Sequence, residues 1–180
     1  MIQTLRTGLA RLDAAGDAAL PLLARFSFAA VLALYYWASA ATKLGDGLVG
    51  LFRPGLGAYA QIFPRAMEAA GYDPSQLGPF AWAVVTAGTL AEFVLPALIL
   101  LGLATRLAAL GMIGFVVLQS LTDVIGHGAD ATTIGVWFDR LPDSAILDQR
   151  LLWVFVLVTL VVKGAGPLSL DRLIARRAGL

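Results

Sequence analysis

The sequence predicts an all-α, polytopic membrane protein: an antiparallel bundle of four transmembrane helices with a cap of loops on its outer face. Four apolar stretches, Leu20–Ala41, Phe80–Leu103, Leu107–Ile125 and Ile146–Val162, run close to the about 20 helical residues that cross a hydrocarbon core about 30 Å thick. Their apolar residues are continuous rather than alternating, which selects helices over the strands of a barrel. Composition agrees, since 59% of the residues are hydrophobic and 14% charged, hard to keep soluble in so small a chain. Residues 1–180 read as one membrane domain, and a net charge of +1 makes no case for nucleic acid.

The first stretch raises the question of a cleaved leader, because Ala38-Ser39-Ala40 resembles a signal-peptidase site. A signal core is usually about 7–15 residues, shorter than this run, and the 19 residues before it carry acidic as well as basic side chains. The stretch is therefore expected to remain as a span. Four crossings put the termini and the second connection on one side, with Arg6, Arg11, Arg106, Lys163, Arg172, Arg176 and Arg177. Lys43, Arg53, Arg65, Arg140 and Arg150 fall on the other, where Asp130, Asp139 and Asp143 also cluster. Seven cations against five predict cytoplasmic termini in an inner, or cytoplasmic, membrane.

The connections are unequal. Ala104-Thr105-Arg106 leaves room only for a tight hairpin between the second and third spans. The first connection, about Thr42 to Pro79, spaces Tyr59, Ile62, Phe63, Ala66 and Ala70 as a short amphipathic helix, interrupted near Pro64. A helix lying on the membrane surface is favoured there over a ligand lid. The third connection, about Gly126 to Ala145, mixes Gly-His-Gly and acidic residues with Ile134, Val136, Trp137 and Phe138. It either dips toward the membrane or packs on the first.

Charges inside spans mark the candidate sites. Glu92 lies near the middle of the second span, where an ionised carboxylate costs at least about 2.5 kcal/mol and seeks a partner or a proton. Gly88 and Pro96 lie a turn to either side, and the missing N–H of Pro96 frees a carbonyl. Arg25, about 8 Å inside the first span, is the expected partner. An interhelical lock between Arg25 and Glu92 is the plainer reading, and proton relay or quinone-headgroup binding the functional one. Lys43 follows Arg25 by eighteen residues, five turns of a regular helix, which places both on one face. A second cluster is expected at the outer ends: Lys43, Gln119 and Asp123, with Asp148, Gln149 and Arg150 opening the fourth span. It reads either as interfacial ion pairs or as a binding site, with Trp153 placed to stack on Arg150.

Missing residues narrow the chemistry. Without cysteine the chain has no thiol catalysis, disulfide exchange or iron–sulfur cluster of its own, and one histidine cannot supply a bis-histidine haem site. His127, flanked by glycines, reads as a turn residue rather than a metal ligand, so no metal is expected. No phosphate loop, zinc helix motif or nucleophile elbow is present.

Lys163-Gly164-Ala165-Gly166-Pro167-Leu168-Ser169-Leu170-Asp171 resembles the closing signature of the DoxX-like (DoxX/DoxD) membrane proteins, a glycine-rich break leading into Ser-x-Asp. Arg25 with Lys43, and Glu92 with Leu100-Leu101-Gly102-Leu103-Ala104-Thr105-Arg106, resemble that family's Arg…Lys and Glu…Leu-Leu-Gly-Leu-x-Thr-Arg passages. The long first loop and the acidic third loop depart from its pattern. The resemblance implies a four-helix membrane fold and an accessory component of a redox or metal- and oxidative-stress pathway, with quinone as candidate ligand. A periplasmic or membrane redox or metal-handling protein is the implied partner, alongside membrane lipid. The alternatives are a membrane subunit of a quinone-linked oxidoreductase and a small transporter with Glu92 as proton carrier.

Overall fold

The computed structural model describes residues 2–47 and 49–179, and every regular element among them is helical. Four helices are long and apolar enough to cross a membrane: Leu5–Ala41, Pro74–Leu101, Thr105–Gly126 and Ala145–Lys163. The first consists of α1 (Ile2–Phe28), a π-helical turn at Ala29–Ala33, and α2 (Leu34–Ala41). The other spans are built on α5 (Gly78–Leu101), α6 (Thr105–Leu121) and α8 (Arg150–Lys163). Adjacent spans in the chain pack side by side and the last closes against the first, giving an up-down-up-down ring. Phe28, Leu32, Tyr36, Ile99, Met112, Leu157 and Leu160 fill its centre. Gly111 lets α6 approach α5, since a Cβ there would stand 3.2 Å from Leu95.

The first helix exceeds the apolar stretch that predicts it. Leu5–Ala41 is 37 residues, about 55 Å long, so the helix runs well past a hydrocarbon core about 30 Å thick. The π turn shifts the phase between Arg25 and Lys43, yet both side chains reach α5, Arg25 the Ile99 carbonyl and Lys43 the Glu92 carboxylate. One extra residue in that turn offsets the helix halves by about 100° from the regular phase. The stripe aimed into the cavity at the bundle's loop-covered end is Tyr35, Ser39 and Lys43.

At the end opposite the termini, the first connection folds into α3 (Leu56–Ile62) and α4 (Pro64–Ala69), separated at Phe63 and restarted by Pro64 in the first turn. Ala58, Tyr59 and Met67 pack on Ala81 and Val85 of α5, so the helices of this loop cover the bundle. The third connection holds α7 (Ala131–Ile134) and packs on the first: His127 Nε2 lies 2.9 Å from the Gln61 carbonyl, and Gly126 abuts Pro64. These contacts form the loop cap.

The end holding the termini is stapled by polar side chains. Gly102, at φ +66°, turns α5 into α6, and a Cβ there would come within 2.6 Å of the Ser169 side chain. The Asp171 carboxylate accepts from the backbone N–H groups of Ala104 (2.7 Å) and Thr105 (3.0 Å), capping α6, while its own N–H donates to the Gly102 carbonyl. Arg106 donates to Val161 O near the end of α8 at 2.9 Å. From Ser169 the chain enters α9 (Leu170–Arg177), with Arg172, Arg176 and Arg177 beside exposed Leu173 and Ile174.

Candidate functional site

A cavity of about 300 Å³ lies between the spans beneath the cap. Tyr35, Ser39 and Lys43 supply one wall, Gly88 and Glu92 a second, and Phe115, Gln119 and Asp123 a third, with Arg150 at the mouth of α8 and Gln61 and Ile62 overhead. Gly88 leaves the space that a side chain would take, its nearest neighbour being the tip of Ile62. The intramembrane carboxylate and the outer-end cluster, read from the sequence as separate sites, meet here.

Glu92 is paired with Lys43 rather than with Arg25. Lys43 Nζ donates to Glu92 Oε2 at 2.8 Å and Oε1 at 3.0 Å, and to Ser39 Oγ at 2.7 Å; Ser39 Oγ donates in turn to Glu92 Oε1 at 3.3 Å. Lys43 and Glu92 are 2% and 4% exposed, so each charge depends on the other for solvation. Nearby, the Trp37 indole donates to Phe93 O at 3.1 Å, one residue beyond Glu92, whose backbone carbonyl loses its helical donor at Pro96.

The expected Arg25–Glu92 lock is absent because Arg25 is committed elsewhere. Its guanidinium donates to the carbonyls of Ile99 (3.0 Å), Leu100, Ala165 (3.2 Å) and Leu168. Ile99 is seven residues, about 10 Å of helix rise, beyond Glu92. There Ile99 O also accepts from the Gly102 N–H at 3.1 Å, so the planar five-donor fork of Arg25 adds a second donor to the C-terminal carbonyls of α5. Arg25 thus belongs to the staple at the termini, joining the end of α5 to the loop after α8.

At the cavity's other side, Arg150 forms an ion pair with Asp123 and donates to Ser120 Oγ at 2.9 Å. Its guanidinium carbon stands 5.9 Å over the Trp153 ring, the stacking the sequence suggests. Its side chain is 10% exposed, and its Nε is buried without a partner. Asp148 does not line the cavity. Its carboxylate accepts from Ser144 N (3.0 Å) and Oγ (2.7 Å), which holds the turn into α8. Among the described residues, no three His, Asp or Glu side chains converge as a metal-binding set.

Tyr35, Ser39, Gln61 and Thr122 are polar cavity residues that the sequence reading does not single out. Tyr35 and Ser39 lie eight and four residues before Lys43, a helical stripe whose polar side chains were the available signal. Gln119 Nε2 donates to Tyr35 OH at 2.8 Å and Tyr36 OH approaches Gln119 Oε1 at 3.5 Å, linking the first and third spans.

The fold and site define a small polytopic helical-bundle protein with a charge-paired polar cavity roofed at one membrane face. The model of the family DoxX matches residues 20–123, more than half of the chain, and the protein belongs to that family. The match takes in Arg25, Lys43, Glu92 and Asp123, and ends before Arg150 and the Ser169–Asp171 cap. No curated protein and no solved structure matches the chain.

Proposed function

We propose that this protein is a quinone-binding accessory component of a membrane redox or stress-response pathway, with the ring of the quinone in the cavity under the cap. The carrying observation is the neutrality of a cavity that is nonetheless rich in donors and acceptors. Lys43 offsets Glu92 and Arg150 offsets Asp123, so no unbalanced charge calls for a phosphate or carboxylate ligand. Tyr35 and Phe115 offer flat walls to a ring. The Tyr35 hydroxyl, which accepts from Gln119, keeps its proton to donate to a quinone carbonyl, while Glu92 and Asp123 oxygens can accept from the hydroxyls of the reduced form. The volume, about 300 Å³, lies at the small end of ligand sites, a size for a headgroup rather than a whole lipid.

In this reading both termini are cytoplasmic, the membrane is the inner one, and the cap faces the periplasm. Electrons exchanged with the bound quinone come from a redox protein docked on that cap, and the chain supplies the seat. The test is mass spectrometry of extracts from purified wild type, Glu92→Gln and Gln119→Leu, with thermal unfolding of each. Quinone in the wild type, reduced severalfold in a variant that still unfolds cooperatively near the wild-type temperature, is the expected result. A wild type that neither carries quinone nor takes it up on reconstitution overturns the proposal.

A further inference from the structure

The helix α9, eight residues long, leaves the bundle with unlike faces. Asp171, Arg172 and Ala175 line a shallow space shared with Ala14, Asp17 and Ala18 of α1. Leu170, Leu173 and Ile174, three and four residues apart, form an apolar face and are 36%, 45% and 54% exposed. Arg172 and Arg176, one turn apart, lie between these two faces, and Arg177 follows at the edge of the apolar one. The staple fixes where this helix stands. The Asp171 N–H donates to the Gly102 carbonyl and its carboxylate caps α6, so the first turn of α9 is level with the hairpin where the second span ends at Leu101 and the third begins at Thr105. That hairpin marks the boundary of the hydrocarbon core.

Other cations at this boundary are already engaged: Arg25 and Arg106 donate to backbone carbonyls, and Lys163 pairs with Asp17 at 2.6 Å. Among the described residues the arginines of α9 take part in no ion pair, and the one carboxylate of the helix is held by the Ala104 and Thr105 N–H groups. So short a helix is marginal in water unless a surface receives its apolar side. We propose that α9 is an interfacial anchor for anionic phospholipids: Leu170, Leu173 and Ile174 enter the boundary between acyl chains and headgroups, and Arg172, Arg176 and Arg177 bind lipid phosphates. The charge of the helix complements the headgroups, and its level puts the arginines where those phosphates lie. The stem of Arg177 lies along the apolar face while its head reaches the phosphates. Through Asp171 the same lipid contact keeps the α5–α6 hairpin capped. The anchor is independent of any quinone in the cavity.

The chain has no cysteine, so Ile174→Cys carries a single nitroxide. The spin-labelled protein is reconstituted in vesicles of phosphatidylcholine alone or of phosphatidylcholine and phosphatidylglycerol in equal parts. Collision of the nitroxide with oxygen, which concentrates in the bilayer, is compared with collision with a water-soluble nickel chelate. In the mixed vesicles access of oxygen should exceed that of nickel severalfold. Nickel access should rise severalfold in phosphatidylcholine alone, and in the mixed vesicles on replacing Arg172, Arg176 and Arg177 together by Gln, all at exposed positions. The comparison of the two lipids needs no further substitution, so it decides the matter even where the triple variant melts early. A nitroxide open to nickel in both vesicles overturns the anchor. Equal shielding in both vesicles overturns the role of the anionic headgroup, and spin–spin broadening between nitroxides would give the apolar face to a second copy of the chain instead.

Discussion

Lys43 Nζ stands 2.8 Å from Glu92 Oε2, with the two side chains 3% and 5% exposed, so the capped end of the first span is tied to the middle of the second by a buried charge pair. Removing one member strands the other, at a cost of about 3–5 kcal/mol for a pair this buried. Lys43→Met and Glu92→Met should each lower the unfolding temperature sharply in detergent, whereas the double variant should recover most of the loss. A double-mutant cycle with additive losses would mean that the pair carries no coupling.

Arg25 bonds four carbonyls from two segments, and no ammonium reproduces that planar fork. Arg25→Lys should destabilise by about 2 kcal/mol, on the scale of a hydrogen bond to a charged group lost at a half-buried site. If Arg25 acts only in the staple, quinone content per folded molecule should stay at the wild-type level. A normal melting temperature with lost quinone would instead assign Arg25 to ligand binding.

Asp171 closes the α5–α6 hairpin from the far end of the sequence. Asp171→Ala should cost about 0.5–2 kcal/mol, the range for a lost helix cap. Amide exchange should accelerate at Ala104 and Thr105, together with the α9 segment that the same contact holds. Gly102→Ala should loosen α9 as well, because its new Cβ would fall within 2.6 Å of Ser169. Unchanged exchange in α9 for both variants would count against the staple.

Asp130, outside the spans, caps α7; hydrogen bonds from the Thr132 hydroxyl and the Thr133 N–H hold its carboxyl below the usual aspartate range. A depressed native value means the contribution is fully present above the unfolded pKa of about 3.9 and fades as pH falls through the native value. Protection of the Thr133 amide should therefore persist at neutral pH and be lost in acid below that range. Asp130→Asn should flatten the dependence, and an amide whose protection ignores pH over that window would rule the cap out.

The two clusters differ in how far they were legible. Arg25, Glu92, Lys43, Asp123 and Arg150 stand out in the sequence because charges inside or beside apolar runs are rare. Which of them meet does not stand out. Pairing Arg25 with Glu92 requires a shared depth, and seven residues of α5 separate the contacts of Arg25 from Glu92. The Ser169-x-Asp171 motif was visible as a pattern, but what it holds depends on Gly102 and Ala104, far away in the chain.

By itself the sequence determined the class, the number of spans and the short second hairpin, because hydropathy and helix length are sums over neighbouring residues and lipid leaves the backbone no other choice. Only the tertiary structure decided that Glu92 belongs to Lys43, that Arg25 is a staple, and that the ion pairs Lys43–Glu92 and Asp123–Arg150 border one roofed cavity. Those outcomes turn on depth along each helix and on contacts between distant segments, which no sum over neighbouring residues records.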